Sequence, residues 1–158
     1  MKVRDIDEVK QEVDAIQNDG KSIDKKIKNL VIGLRRWGIN TDNSCEGHLL
    51  EGLGLVGGLG FPWVDFPIEQ ARDVALLLLD YNFEHPIKST WVLKPYGGFM
   101  RLQPEHHHWW RLGAMQKEAE RFAKFLFQLC EGWWEERYGE EIKKYLEGKY
   151  AVHRASVG

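Results

Sequence analysis

In the run Ser44-Cys45-Glu46-Gly47-His48 a thiol, a carboxylate and an imidazole follow within four residues, with Gly47 freeing the backbone between them. A thiol reacts as its thiolate, and a nearby imidazolium or helix N-terminus favours that form. A Cys-x-x-His pair on a loop can also supply two zinc ligands. Glu46 could serve as a general base or as the fixed anion of a site. Cys45, His48 and Glu46 are therefore the candidate catalytic residues, and Ser44, Gly47 and Trp63 the candidate ligand-binding residues. The structural alternative is a small buried Cys45 at a strand end and a hydrogen-bonded loop His48. No set of residues is assigned to a metal: a four-ligand zinc site would need two of His85, His106, His107 and His108 or a carboxylate. Adjacent helical residues such as His106, His107 and His108 point in different directions. Cys130, beside Leu129, reads as core.

The segment Gly52-Leu-Gly54-Leu-Val-Gly57 matches the dinucleotide pattern G-x-G-x-x-G. That pattern has meaning only where a helix opens behind it. Here the glycines continue and Pro62 follows, so the segment reads as an apolar flap or hairpin tip able to close over a ligand.

These residues need a scaffold. Ile6, Val9, Val13 and Ile16 recur at helical spacing, and Asn18-Asp-Gly20 is a stop signal. Ser22 is placed to cap a second helix carrying Ile23, Ile27, Leu30, Leu34 and Trp37, with Gly38 at its end. The two predict an N-terminal helical hairpin. Ile39 to Cys45 reads as a short strand running into a loop, and Pro62 to Phe66 as another strand. Pro67 suits the start of a buried helix from Ile68 to about Tyr81. Gly97-Gly98, between Ser89–Tyr96 and Phe99–Gln103, marks a β-hairpin, with Pro95 at an edge or bulge. Pro104 to Trp110 opens the last long helix, whose stripe is Leu112, Met115, Ala119, Phe122, Leu126, Leu129 and Trp133. A short helix around Glu140 to Leu146 and a loose tail from Lys149 complete the chain. The expected fold is a single α+β domain spanning 1–158: an antiparallel or mixed sheet of about four strands, with helices on one face.

The 158 residues are enough for one real core, and 43% hydrophobic with 29% charged residues is ordinary for a globular protein. Seven Trp are many. In the pairs Trp109-Trp110 and Trp133-Trp134 both neighbours cannot face one stripe, so one of each could stack on a partner. A net charge of -2 gives no global pull toward nucleic acid or an anionic membrane. Lys21, Lys25, Lys26, Lys28, Arg35 and Arg36 nevertheless cluster around one acid, Asp24, and are expected to pair with acidic segments. With two Cys, no apolar leader and no run long enough to span a bilayer, a cytoplasmic protein without membrane contact is expected.

The element order and the Ser44-Cys45-Glu46-Gly47-His48 run resemble the core of the tRNA wybutosine-synthesis methyltransferase family, over roughly residues 25–103. That family carries a Ser-Ser-Cys-Ser-Gly-Arg signature. Ser44, Cys45 and Gly47 match it, while Asn43, Glu46 and His48 replace its first Ser, third Ser and Arg. The resemblance implies an S-adenosylmethionine-dependent RNA-modifying enzyme, with Cys45 and His48 near the target base and Lys25, Lys28, Arg35 and Arg36 on phosphates. The residues by themselves favour a domain with a ligand- or ion-binding loop at Ser44–His48, its partner a small ligand or RNA. The remaining alternative is a non-catalytic interaction module using exposed Trp. The sequence names no cofactor and no oligomeric state.

Overall fold

The structure, a computed structural model, describes residues 3–18, 21–48, 60–85, 91–106, 108–133, 135–137 and 139–140. The glycine-rich segment (apart from Gly60), the helix expected around Glu140 to Leu146 (apart from Glu140) and the tail from Lys149 lie outside these residues. The chain divides into two units, Met1–Gln128 and Leu129–Gly158. All the elements named below belong to the first.

Helix α1 (Ile6–Ala15) starts where Asp5 Oδ1 accepts the N–H groups of Asp7 at 2.9 Å and Glu8 at 3.0 Å. That cap satisfies two of the donors that every helix start leaves without an intrahelical partner. Val9 and Val13 form its buried face. Strands β1 (Gln17–Asn18) and β2 (Lys21–Ser22) then pair antiparallel, Gln17 opposite Ser22. Ser22 is therefore a strand residue, and the N-cap position falls to Asp24 at the head of α2 (Lys25–Arg36). Helix α2 buries Ile27, Leu30, Val31 and Leu34. Its cations are largely committed within the chain. Lys28 pairs with Asp14, Arg35 binds the Thr41 hydroxyl and carbonyl, both at 2.7 Å, and Arg36 Nη1 donates to the Phe127 carbonyl at 2.8 Å.

The main sheet is antiparallel, in the order β3 (Ser44–Cys45), β4 (Trp63–Pro67), β6 (Phe99–Pro104), β5 (Trp91–Tyr96). Strand alternation separates its two faces. Val64, Phe66, Leu102 and Trp91 form the helix-side face and are fully buried, Trp91 lying 6.1 Å from Phe122 of α4 (Leu112–Gln128). On the other face Arg101 sits opposite Asp65 and binds both its oxygens at 2.7 Å. The guanidinium is sandwiched between Trp63, 3.8 Å away, and Tyr96, 3.5 Å away. Burial works against its charge, but the Asp65 hydrogen bonds and charge outweigh that and raise its pKa.

The β5–β6 hairpin turns at Gly97 (φ 53°) and Gly98 (φ 90°), as the Gly-Gly pair predicts, and Pro95 lies on an edge strand. Pro67 closes β4 instead of opening a helix. A single 3-10 turn, Ile68–Gln70, intervenes before α3 (Ala71–Glu84), which runs one turn past Tyr81. Likewise Pro104 is the last residue of β6, paired with Trp91, so the long helix begins at Leu112 after the turn Trp109–Arg111. The α4 stripe is buried as expected at Leu112, Met115, Ala119, Phe122 and Leu126. The helix ends at Gln128, so Leu129 and Trp133 lie beyond it, and Trp133 is buried as expected. In the second unit Gly132 adopts φ 83°, and Cys130, expected as core, is exposed. Among the described residues no helix is long and apolar enough to cross a membrane.

Candidate metal centre

The loop after β3 is held by its neighbours on three sides. Gly47 is buried at φ 77°, a left-handed conformation that side chains resist. A Cβ there would lie 2.7 Å from the Phe61 carbonyl carbon and 2.8 Å from Leu112 Cδ1. Only glycine lets the chain press so closely onto the Phe61, Leu112 and Met115 cluster, against which Trp63 also packs. Gln116 of α4 donates from Nε2 to the Glu46 carbonyl at 3.0 Å, and its Oε1 accepts from Lys26 Nζ at 2.9 Å. One glutamine thus ties the loop to both long helices.

The third constraint is an exchange of roles at the head of α2. Asp24 stands in the N-cap position but makes no side-chain cap to its own helix. Glu46, from the loop, supplies the missing acceptor: its Oε2 takes the N–H of Lys26, the helix's second residue, at 2.9 Å. Asp24 Oδ2 instead accepts the Glu46 backbone N–H at 3.2 Å. A carboxylate that would ordinarily serve the helix is thereby turned toward the loop.

There it meets the two residues that the Cys-x-x-His spacing singles out. One ligand atom each from Asp24, Cys45 and His48 lie within 4.8 Å of one another. His48 Nε2 is 3.8 Å from Asp24 Oδ2, and the Gly47 N–H points at Cys45 Sγ at 3.3 Å. The site opens to solvent on the imidazole side: the His48 side chain is 45% exposed, that of Asp24 35%.

Cys45 and His48, then, converge. Glu46 lies in the same loop with one carboxylate oxygen engaged by the helix N–H. Ser44 is half-buried opposite Val64, and as the strand neighbour of Cys45 it faces the other side of the sheet. Trp63 is directly opposite Cys45, and its buried indole N–H has no hydrogen-bond partner among the described residues. The remaining described histidines stand apart. His85 stacks on Tyr81 and its Nδ1 lies 3.0 Å from the Tyr81 carbonyl. His106 is exposed near Glu105, and exposed His108 stacks on Trp110 at 4.5 Å. His107 is outside the described residues. Trp110 is 63% exposed. Sequence reasoning missed Asp24: it stands out only as the one acid in the basic stretch 21–36, and that gives no sign of its nearness to Cys45 and His48. Comparison with protein-family models, with curated proteins and with solved structures gives no match to this chain.

Proposed function

We propose that this protein binds a divalent transition-metal ion, of which zinc is the best fit, through Asp24, Cys45 and His48. The observation that carries the reading is the convergence of three different donor atoms, a sulfur, a nitrogen and an oxygen, within 4.8 Å. Zinc accepts this mixture, whereas calcium and magnesium prefer oxygen alone. In a tetrahedral site with bonds of about 2.0–2.3 Å, donor atoms stand roughly 3.3–3.8 Å apart. The His48–Asp24 separation of 3.8 Å is within about 0.5 Å of the spacing for a nitrogen and an oxygen ligand. The widest pair would close by about 1 Å, within reach of side-chain rotation. The Gly47 N–H at Cys45 Sγ is the kind of outer hydrogen bond that steadies a metal thiolate.

A Cys-His-Asp catalytic triad would place the thiol and the carboxylate on opposite nitrogens of the imidazole. Here one imidazole nitrogen lies near both, as ligation requires. Three of the four cations expected on RNA phosphates, Lys28, Arg35 and Arg36, already hold groups within the chain. The metal reading is preferred on that ground to an S-adenosylmethionine-dependent RNA-modifying enzyme. Three protein ligands leave a fourth position for water or a small ligand, the arrangement of a zinc ion that activates what it binds.

The test is metal analysis of the purified protein after reconstitution with zinc and removal of excess, with cobalt substitution as an optical probe. Stoichiometric metal and a thiolate-to-cobalt charge-transfer band are expected, the band vanishing in Cys45→Ser and cobalt affinity falling in His48→Ala and Asp24→Asn. Less than about 0.1 equivalent of metal would overturn the proposal, as would a cobalt spectrum indifferent to Cys45→Ser.

A further inference from the structure

Helix α3 buries Val74, Leu77, Leu78 and Tyr81 against the rest of its unit. Its opposite side is apolar too. Leu79 is 58% exposed, Phe83 81%, and Ile68, in the turn that leads into the helix, 53%. Ala75 is exposed and Leu76 half-buried. Among the described residues this outward stripe holds three of the six exposed large hydrophobic side chains. A contiguous apolar face of this kind marks an interaction surface.

The order of residues along the stripe says what kind of partner fits it. Arg72, Leu76, Leu79 and Phe83 are spaced four, three and four apart, so the pattern reads the same from either end. A two-fold contact between antiparallel helices needs such a pattern, because residue i meets j where j meets i. Centred between Leu76 and Leu79, the two-fold sets each Leu76 on the partner's Leu79. Each exposed Arg72 then comes over the partner's Phe83 ring and beside its Glu84. The ends are unlike and complementary, a cation at one and an aromatic ring with a carboxylate at the other, and antiparallel pairing satisfies both twice.

We propose that the outer face of α3 is a self-association surface, on which a second copy of this chain docks antiparallel through Leu76, Leu79 and Phe83 with Arg72 and Glu84 at the rim. The stripe covers about 18 Å of helix from Arg72 to Glu84. One helix face is smaller than the roughly 800 Å² per partner of a standard stable interface, so the dimer is weak and concentration-dependent. It shares no residue with the metal cluster, and its outcome is independent of that reading.

Analytical ultracentrifugation over a concentration series tests it, with zinc and with chelator. The weight-average mass is expected to rise from monomer toward dimer in both. Leu79→Ser and Phe83→Ser, at exposed positions, should keep the circular dichroism and melting of the wild-type monomer while weakening association by about tenfold or more. Arg72→Glu and Glu84→Arg should each weaken it, and the doubly substituted chain should regain association to within about threefold of wild type, because the swapped charges again face each other. A parallel contact would set position 72 on 72 and 84 on 84, like charges together in the wild type and in every variant, so neither single substitution would weaken it. A wild-type chain that stays monomeric up to about millimolar concentration overturns the proposal. So does a dimer that Leu79→Ser leaves intact, one that needs zinc, or a double variant no better than the single ones.

Discussion

Gly47→Ala is expected to be among the most damaging single-methyl additions this chain can receive. Two costs combine. At φ 77° an alanine sits in the left-handed region, at about 1–2 kcal/mol. Its Cβ would also lie 2.7 Å and 2.9 Å from Phe61 backbone atoms and 2.8 Å from Leu112 Cδ1. Backbone cannot rotate away as a side-chain tip can, so relief requires the loop to shift, an overpacking cost of about 1–3 kcal/mol. The sum, about 2–5 kcal/mol, is a large part of the 5–15 kcal/mol typical of a whole domain. Gly97→Ala isolates the first term: Gly97 has φ 53°, but a Cβ there would meet nothing within 4 Å among the described residues, so only the conformational cost of about 1–2 kcal/mol applies. Urea unfolding of the three proteins, with equal denaturant slopes, gives both terms by subtraction. Because Gly47 lies between Cys45 and His48, the same substitution should also weaken cobalt binding, whereas Gly97→Ala should not. A Gly47→Ala loss below about 1 kcal/mol, or one equal to that of Gly97→Ala, would refute the close approach of the loop to Phe61.

Three further outcomes are expected. Asp65→Ala strands the Arg101 guanidinium in a site where both side chains are about 95% covered, and should cost about 3–5 kcal/mol in urea unfolding; Asp65→Leu with Arg101→Met should recover most of it, and a single-variant loss under about 1 kcal/mol would contradict a buried pair. Glu46→Ala removes the acceptor that caps α2 from outside and should cost about 1 kcal/mol by thermal melting, most of it restored by Glu46→Gln; equal melting of all three would show that the cap contributes nothing. Burial, with the Glu118 carboxylate beside it, raises the Tyr81 phenol pKa, so alkaline spectrophotometric titration of the native state should find Tyr81 still protonated after ordinary phenols have ionised. The sign follows: the folded pKa is the higher one, so this contribution is complete below about pH 10 and is lost as pH rises toward the folded value. A Tyr81→Phe variant that titrates like the wild type would refute it.

What could be read from the sequence was whatever local chemistry decides. Gly97-Gly98 sets its turn because no other residue pair takes those two φ values as cheaply, and the α4 stripe from Leu112 to Leu126 is spaced by the helix itself. Cys45 and His48 were legible as a pair because two residues of loop separate them. Their third companion was not, since Asp24 reaches them only after α2 has packed against α4 and Gln116 has fastened the loop. Nothing in the sequence says that a residue in an N-cap position will leave its own helix to be capped by Glu46. The same blindness hid the Asp65–Arg101 pair, whose members meet only through strand register. Boundaries failed where proline is ambiguous: Pro67 and Pro104 each fit a helix start, yet both close strands, and a single 3-10 turn follows Pro67 before its helix begins.

The borders of the sheet carry a consequence for how these molecules meet in concentrated solution. β3 offers only two residues to an incoming strand, and β5, the other border, ends in the exposed run Lys94-Pro95-Tyr96, where a charge must be stripped of water and one N–H does not exist. Neither margin is a good template for a stranger's backbone, so cross-β growth from the native state is suppressed at both sides. Replacing Pro95 with threonine would lengthen the usable margin, and the first sign would be fibrillar precipitate instead of a reversible helix-mediated pair.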